Sequence, residues 1–300
     1  MKNNYTCHFC NLCNGTGCID ELPGLGGFGA NINFKLNCAG WDDLAEKKDV
    51  VKALAKAKKE GLLMTEKLPK VRIAPITGAI ENIGWEDEEP YYFKMVQAAI
   101  HAGIRLSIGD GCPDSKLKYG IRAVAEAQKK AAVFIKPYSN NGILERMEWA
   151  SDIAEIFGID IDSYAIVTMR NKVKLEKKTA QHLLELKKHS KVPFAIKGIF
   201  TQEDVDLVRE VKPDIVYVSN HGGRVENRIG STADFLRVYH KELLNSCEQL
   251  WVDGGIRKLR DIQIASLYNV SEVLVARPFI TALCRDEQNG IFDAYAKMLQ

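Results

Sequence analysis

A histidine, two glycines and an arginine close the stretch Val218-Ser219-Asn220-His221-Gly222-Gly223-Arg224, just after a short apolar run. An imidazole that titrates near neutrality can take a proton, and a guanidinium three residues on can hold a carboxylate. Glycines beside them let the backbone come close to a flat ring. These residue types in this order suit removal of a proton from a substrate that carries a carboxylate. One His near one Arg is also compatible with an ordinary exposed loop. The company this loop keeps decides between the two.

Lys197 ends the run VPFAIKG. An amine at a strand end can stabilise negative charge on a flavin ring, form a Schiff base, or pair with a structural carboxylate. Two further turns, Asp253-Gly254-Gly255-Ile256-Arg257 and Val275-Ala276-Arg277-Pro278, pair flexible backbone with arginine. Free N–H groups and guanidinium at such turns form a phosphate cradle. Either turn alone also reads as a tight bend with a surface charge; the pair favours the cradle.

The elements that must position these residues alternate along the chain. Strand patterns fall at Val71-Ile76, Arg105-Ile108, Val133-Lys136, Tyr164-Thr168, Phe194-Lys197, Ile215-Ser219, Leu250-Val252 and Val273-Ala276. An amphipathic helix pattern covers Asp42 to Glu60, and others lie near 90–102, 114–130, 143–157, 176–189, 202–210, 232–244, 258–268 and 287–298. Such alternation predicts an α/β fold, a closed (β/α)8 TIM barrel over residues 41–300 behind an irregular Cys/Gly-rich segment, 1–40. An open doubly wound sheet would want a glycine-rich phosphate turn after its first strand, and APITGA at 74–79 is not one. A barrel gathers its active groups at the C-terminal ends of its strands. The unusual residues fall there: Thr77, Gly78 and Ala79, then Lys136 with Tyr138, Thr168, Lys197, Ser219 to Arg224, Asp253 to Gly255, and Ala276 with Arg277.

The chain has 300 residues, 46% hydrophobic and 27% charged, which suits a globular protein. A net charge of +2 is too small to argue for nucleic acid or an anionic membrane as partner. No apolar run has the length of a membrane span, and MKNNYTCHFC lacks the apolar core of a secretory signal, so a cytoplasmic location is expected. Of eight cysteines, Cys7, Cys10, Cys13, Cys18 and Cys38 crowd the start. Four thiolates at the spacing of Cys7, Cys10, Cys13 and Cys18 can hold an iron–sulfur cluster or tetrahedral zinc. A reduced segment without metal and a reversible disulfide are the other readings. His182 and His189, on a lysine-rich helix pattern, read as solvated, and the four tryptophans as packing residues.

The runs AIKGIFTQEDV, VYVSNHGGR and WVDGGIRKLRDIQIASLYNVSEVLVARPF resemble the FMN-dependent α-hydroxy-acid dehydrogenase/oxidase family, which includes glycolate and lactate oxidases. The resemblance is strongest over residues 190–283, with echoes in RIAPITGA and VFIKPYSN. It implies a barrel with FMN at its mouth, and it carries roles onto matching positions. His221 is then the base, Arg224 holds the substrate carboxylate, and Lys197 lies against the flavin. Ser219 contacts the flavin or its ribityl chain; Asp253, Gly254, Gly255, Arg257, Ala276 and Arg277 bind ribityl and phosphate. Thr77, Gly78 and Ala79 cover one flavin face, Thr168 bonds the ring, and Tyr138 reaches the substrate.

Three departures stand out. Lys136 occupies a position where the family commonly has glutamine, which would alter flavin electronics or compete with Lys197. Met169-Arg170-Asn171-Lys172 replaces the usual acidic residue and later arginine, leaving a second carboxylate anchor unassigned. The long loop that often covers the site is missing between strands four and five. The reaction implied is oxidation of a small 2-hydroxy acid to a 2-oxo acid, with the electron acceptor unassigned and a homo-oligomer expected. A flavin-dependent isomerase on the same barrel, and a flavin- or metal-binding redox sensor, are the alternatives; the His221–Arg224 pair disfavours the isomerase.

Overall fold

The computed structural model describes residues 32–80, 85, 87–166, 172–223, 225 and 228–300. Eight parallel strands run β1 (Lys70–Ile73), β2 (Ser107–Gly109), β3 (Ala131–Ile135), β4 (Ala154–Asp160), β5 (Phe194–Ile199), β6 (Ile215–Val218), β7 (Gln249–Val252) and β8 (Val270–Val275). Neighbours pair in sequence order from β2 to β8, and β8 pairs back to β1. The ring closes where Ile73 N–H donates to Arg105 O at 2.9 Å and Arg105 N–H to Val71 O at 3.2 Å. The fold is a (β/α)8 barrel.

Helices cover the outside: α1 (Ile32–Glu46), α2 (Lys48–Lys59), α3 (Glu88–His101), α4 (Ser115–Glu126), α5 (Asn140–Trp149) and α6 (Ala180–His189). They continue with α7 (Gln202–Val211), α8 (Thr232–Leu244), α9 (Leu259–Leu267), α10 (Arg277–Arg285) and α11 (Gly290–Met298). Strands with both faces covered need apolar side chains throughout, and β3, β5 and β6 are buried along their whole length. Helix starts are fixed by side chains. Thr201 and Asp204 form a reciprocal capping box on α7, and Ser231 caps α8 through the N–H groups of Ala233 and Asp234.

Charge closes the N-terminal end of the barrel. Arg72, 1% exposed, bonds Glu272 at 2.5 Å and Glu155 at 2.7 Å, and lies 4.9 Å over the Trp251 ring. Arg105 completes the network on Glu272.

Two elements depart from the sequence expectation. Strand four is Ala154–Asp160, not Tyr164–Thr168, and helix α5 stops at Trp149 instead of running to 157. The run Ile153, Ile156, Phe157 has helical spacing as well as strand composition, because a strand buried on both faces carries no alternation to distinguish it. At the start, the helix expected from Asp42 to Glu60 is two helices, and α1 begins at Ile32. Its buried side chains include Asn33 and Asn37, so an apolar stripe is not its signal.

Within the barrel, Gly158 faces Phe134: a Cβ there would lie 2.4 Å from two ring carbons, and that ring is packed edge-on against Tyr217. Gly158→Ala is expected to destabilise the fold by about 1–3 kcal/mol, since the Phe134 ring must shift against its neighbours to make room. Urea unfolding of the two proteins side by side measures this.

Candidate active site

Strand register brings three charges together at the barrel mouth. Asp160 is paired in register with Lys197 across β4 and β5, and Ile135 with Ile159 across β3 and β4, so Lys136 follows beside Asp160. Lys136 Nζ lies 2.7 Å from Asp160 Oδ2, and Lys197 Nζ lies 2.7 Å from Asp160 Oδ1. One buried carboxylate thus bridges two buried ammonium groups. Burial works to raise the Asp160 pKa, but His221, Lys136 and Lys197 outweigh it and hold the carboxyl well below its usual range. Burial works against the Lys197 charge too, yet Asp160, Asp162 and Asp253 raise its pKa above that of a free lysine.

Two residues beyond Asp160, Asp162 reaches the loop after β6. His221 Nδ1 lies 3.0 Å from Asp162 Oδ1 and 3.5 Å from Asp160 Oδ1. The imidazole side chain is 18% exposed and lines the cleft. Burial lowers its pKa below that of a free histidine, Lys197 and Lys136 acting in the same direction and Asp160 and Asp162 against them. Burial thus favours the uncharged imidazole, and its Nδ1 faces the Asp162 carboxylate.

Neighbouring side chains fix the backbone of this loop. His221 sits in the left-handed region at φ 58° and Gly222 follows at φ 63°. A non-glycine residue there costs about 1–3 kcal/mol and persists only under constraint. The constraints are visible. Ser219 Oγ accepts from His221 N–H at 3.1 Å, and the Asn220 side chain joins Asn37 at 2.7 Å and Gly230 O at 3.1 Å. Arg277 donates to Gly222 O, and Arg228 pins the far end of the loop to Asp204 at 2.7 Å. Arg224 lies outside the described residues.

The cleft beside His221 opens to solvent. Lys136, Lys197, His221, Asp253 and the turns Gly254–Arg257 and Ala276–Arg277 line it, together with Thr77 and Gly78. Asp253 Oδ2 accepts from Tyr217 OH at 2.8 Å and from Ser219 Oγ at 3.0 Å, while its buried Oδ1 has no partner among the described residues. Burial raises the Asp253 pKa, with Lys197 opposing. A buried acceptor left unmatched in a cleft wall is suited to a ligand hydroxyl. Gly254 and Gly255 follow at φ 86° and 80°, and a Cβ on Gly255 would fall 1.8 Å from Asn37 O. Trp41 Nε1 holds Gly254 O at 2.7 Å, so α1 straps this turn in place. Amide-bearing glycines, Arg257, Arg277 and the start of α10 make a site for a phosphate. A lysine-lined floor, an unmatched hydroxyl acceptor and an anion cradle in sequence fit the ring, ribityl chain and phosphate of FMN.

The sequence matches the FMN-dependent dehydrogenase family over residues 114–300. The chain belongs to that family. A 2-hydroxyacid oxidase of Dictyostelium discoideum is 33% identical over 106 residues, which cover 35% of this chain and 27% of the relative. An L-lactate dehydrogenase (cytochrome) of Saccharomyces cerevisiae is 32% identical over 117 residues, 38% of this chain and 20% of that one. The alignments thus span less than a third of these curated relatives. Among solved structures, a mandelate oxidase superposes with a TM-score of 0.66 at 19% identity, covering 93% of this chain and 89% of its own. That likeness is one of fold.

Not every expected site residue of this FMN-dependent dehydrogenase family member lines the cleft. The N–H groups of Gly78 and Ala79 donate to Glu88 Oε1 at 2.7 and 3.1 Å, so a helix carboxylate holds them, and Ala79 is outside the lining. Tyr138 is likewise off the cleft, with Arg146 stacked 3.9 Å over its ring. Ser219 acts behind the wall, on Asp253 and the His221 backbone. Thr168 and the four cysteines Cys7, Cys10, Cys13 and Cys18 lie outside the described residues. Asp160 and Asp162 are the residues that sequence reasoning missed. Their signal was present as IDID after an apolar run, and misplacing strand four hid it. The ligating atoms of Asp160, Asp162 and His221 lie within 4.8 Å of one another, but two ammonium groups already supply the cation at Asp160, and we assign no metal there.

Gly255→Ala should weaken FMN binding, because the new methyl must displace the strap or the turn. Strain of about 1–3 kcal/mol corresponds to roughly five- to 150-fold in affinity. Titration of the FMN-free protein, read by quenching of flavin fluorescence, measures the change.

Proposed function

We propose that this protein oxidises a small 2-hydroxy acid to the 2-oxo acid with FMN, His221 acting as the base. The observation that carries this reading is the His221–Asp162 pair beside a floor of two lysines, in a cleft that ends in a phosphate cradle. The two relatives named above, one called a 2-hydroxyacid oxidase and the other an L-lactate dehydrogenase, support the substrate class.

FMN supplies the acceptor for the two electrons that leave the substrate. The remaining work falls to the chain. In this reading Asp162 Oδ1 accepts a hydrogen bond from His221 Nδ1–H, which leaves Nε2 for the substrate hydroxyl. Removal of that proton makes an imidazolium, and the carboxylates of Asp162 and Asp160 stabilise it. Lys197 and Lys136 place positive charge under the cleft where negative charge develops on oxidation. Arg224, three residues after the base, is assigned to the substrate carboxylate on the strength of the family pattern. A homo-oligomeric state and a cytoplasmic location complete the proposal, on the sequence expectations already given. An iron–sulfur cluster at Cys7, Cys10, Cys13 and Cys18, one of the readings those thiols allow, would give the electrons an exit.

Two measurements test this reading. In His221→Ala, flavin should still bind, while its reduction by a 2-hydroxy acid should slow by about a hundredfold or more; unchanged reduction would reject His221 as base. For the parent enzyme, kcat/KM should fall as pH drops through an apparent pKa below the free histidine value of about 6.5. The sign follows from burial, which disfavours the imidazolium and keeps the base neutral to lower pH. An acid limb lying above that value would contradict it.

A further inference from the structure

Asp160 holds a position between the two halves of the chemistry. Its Oδ2 takes Lys136 at 2.7 Å, and its Oδ1 is divided between Lys197 at 2.7 Å and His221 Nδ1 at 3.5 Å. Asp162, at 3.0 Å, already supplies His221 with the carboxylate that orients it. A second carboxylate is not needed for orientation. It does, however, put His221 and the two lysines of the cleft floor on one shared anion.

We propose that Asp160 is a positioning residue that links the charge on the flavin to the proton affinity of His221, an inference that rests on the function just assigned. Coulomb's law gives the direction. While the flavin is oxidised, the lysines neutralise Asp160, and little of its field reaches the imidazole. If FMN binds beside these lysines, negative charge on its reduced form would compete with Asp160 for both ammonium groups. Asp160 then acts more fully on His221, and the imidazolium formed in the same turnover is held more tightly. Proton and electrons are retained together until the flavin is reoxidised, when the lysines return to Asp160 and His221 releases its proton. The linkage is reciprocal: protonation of His221 must favour the reduced flavin by the same factor.

The groups facing His221 set the size of the effect. Asp160 and Asp162 approach from the end of β4, Lys136 from β3 and Lys197 from β5, all within its electrostatic reach. Asp253 lines the same cleft from β7, and Arg277 holds the next carbonyl from the start of α10. Of these, Asp160 is the group in direct contact with both the lysines and the imidazole. Burial makes the contact effective, because the carboxylate side chain is 6% exposed and screened little by water.

The test is the pH dependence of the flavin midpoint potential in the FMN-loaded protein, taken over about pH 5 to 9 around the histidine range. Reduction is electrochemical, so no substrate is involved. Two breaks are expected, the His221 pKa of the oxidised and of the reduced protein, with proton affinity higher by about tenfold or more in the reduced form. In Asp160→Asn the two should close to within about threefold. A gap of the same size in Asp160→Asn, or no gap in the parent, overturns the proposal. If Asp160→Asn fails to retain FMN, Lys136→Gln serves instead. Freed from one lysine, Asp160 should raise the His221 break of the oxidised protein, and no movement there is equally fatal. Bleaching by a 2-hydroxy acid is a separate readout; its absence with the gap intact would reject the assigned substrate and leave the linkage standing.

Discussion

Asp160 is buried with an ammonium group on each of its oxygens, and much of the mouth of this barrel is arranged around that fact. Taking an ion out of water costs several kcal/mol, so none of the three charges is tolerable there alone. The register of β3, β4 and β5 delivers all three at once: Asp160 ends β4, Lys136 directly follows β3, and Lys197 lies two residues before the end of β5. A shift of one residue in any of these strands would turn the side chain away and leave buried charge unmatched. The same geometry carries Asp162 to His221, two residues further along the chain. Fold and site are in this respect one problem, solved by strand pairing.

A second constraint acts from outside the barrel. Helix α1 is joined to the loops after β6 and β7 by polar side chains, not by an apolar stripe. Asn33 bonds Val225 O and Gly230 N, Asn37 bonds Asn220 and Thr232 N, and Trp41 bonds Gly254 O. Hydrogen bonds of this kind specify position more sharply than burial does, because each is costly to leave unmade. Their targets are the segment that strains His221 into a left-handed conformation and the glycine turn of the phosphate cradle. Residues nearly two hundred positions apart therefore set the distance between base and anion site.

The second half of the chain was the more readable half. Strands β5 to β8 are short apolar runs, with Lys197 near the end of β5 and Ser219, Asp253 and Ala276 directly after β6, β7 and β8, residues whose types mark the mouth at once. Strand β4 was not readable, because Ile153, Ile156 and Phe157 satisfy helical spacing as well as strand composition. That ambiguity pushed strand four downstream to Thr168 and concealed both aspartates. The contacts of Lys136 could not be foreseen either. Its identity was an anomaly in the sequence, and its reason, a shared carboxylate, lies on a different strand. The amides of Gly78 and Ala79 are directed to Glu88, a contact between loop and helix that no local pattern encodes.

In the proposed reaction, the lysine-lined cleft and the His221–Asp162 pair together oxidise a 2-hydroxy acid at a bound flavin. The direct measurement is an anaerobic titration of the FMN-loaded protein with a series of 2-hydroxy acids, following flavin absorbance and the 2-oxo acid formed. Complete bleaching by at least one acid, with one 2-oxo acid produced per flavin, is the result expected of the proposed oxidation. A flavin that stays oxidised with every acid, or that bleaches without forming the 2-oxo acid, would contradict it.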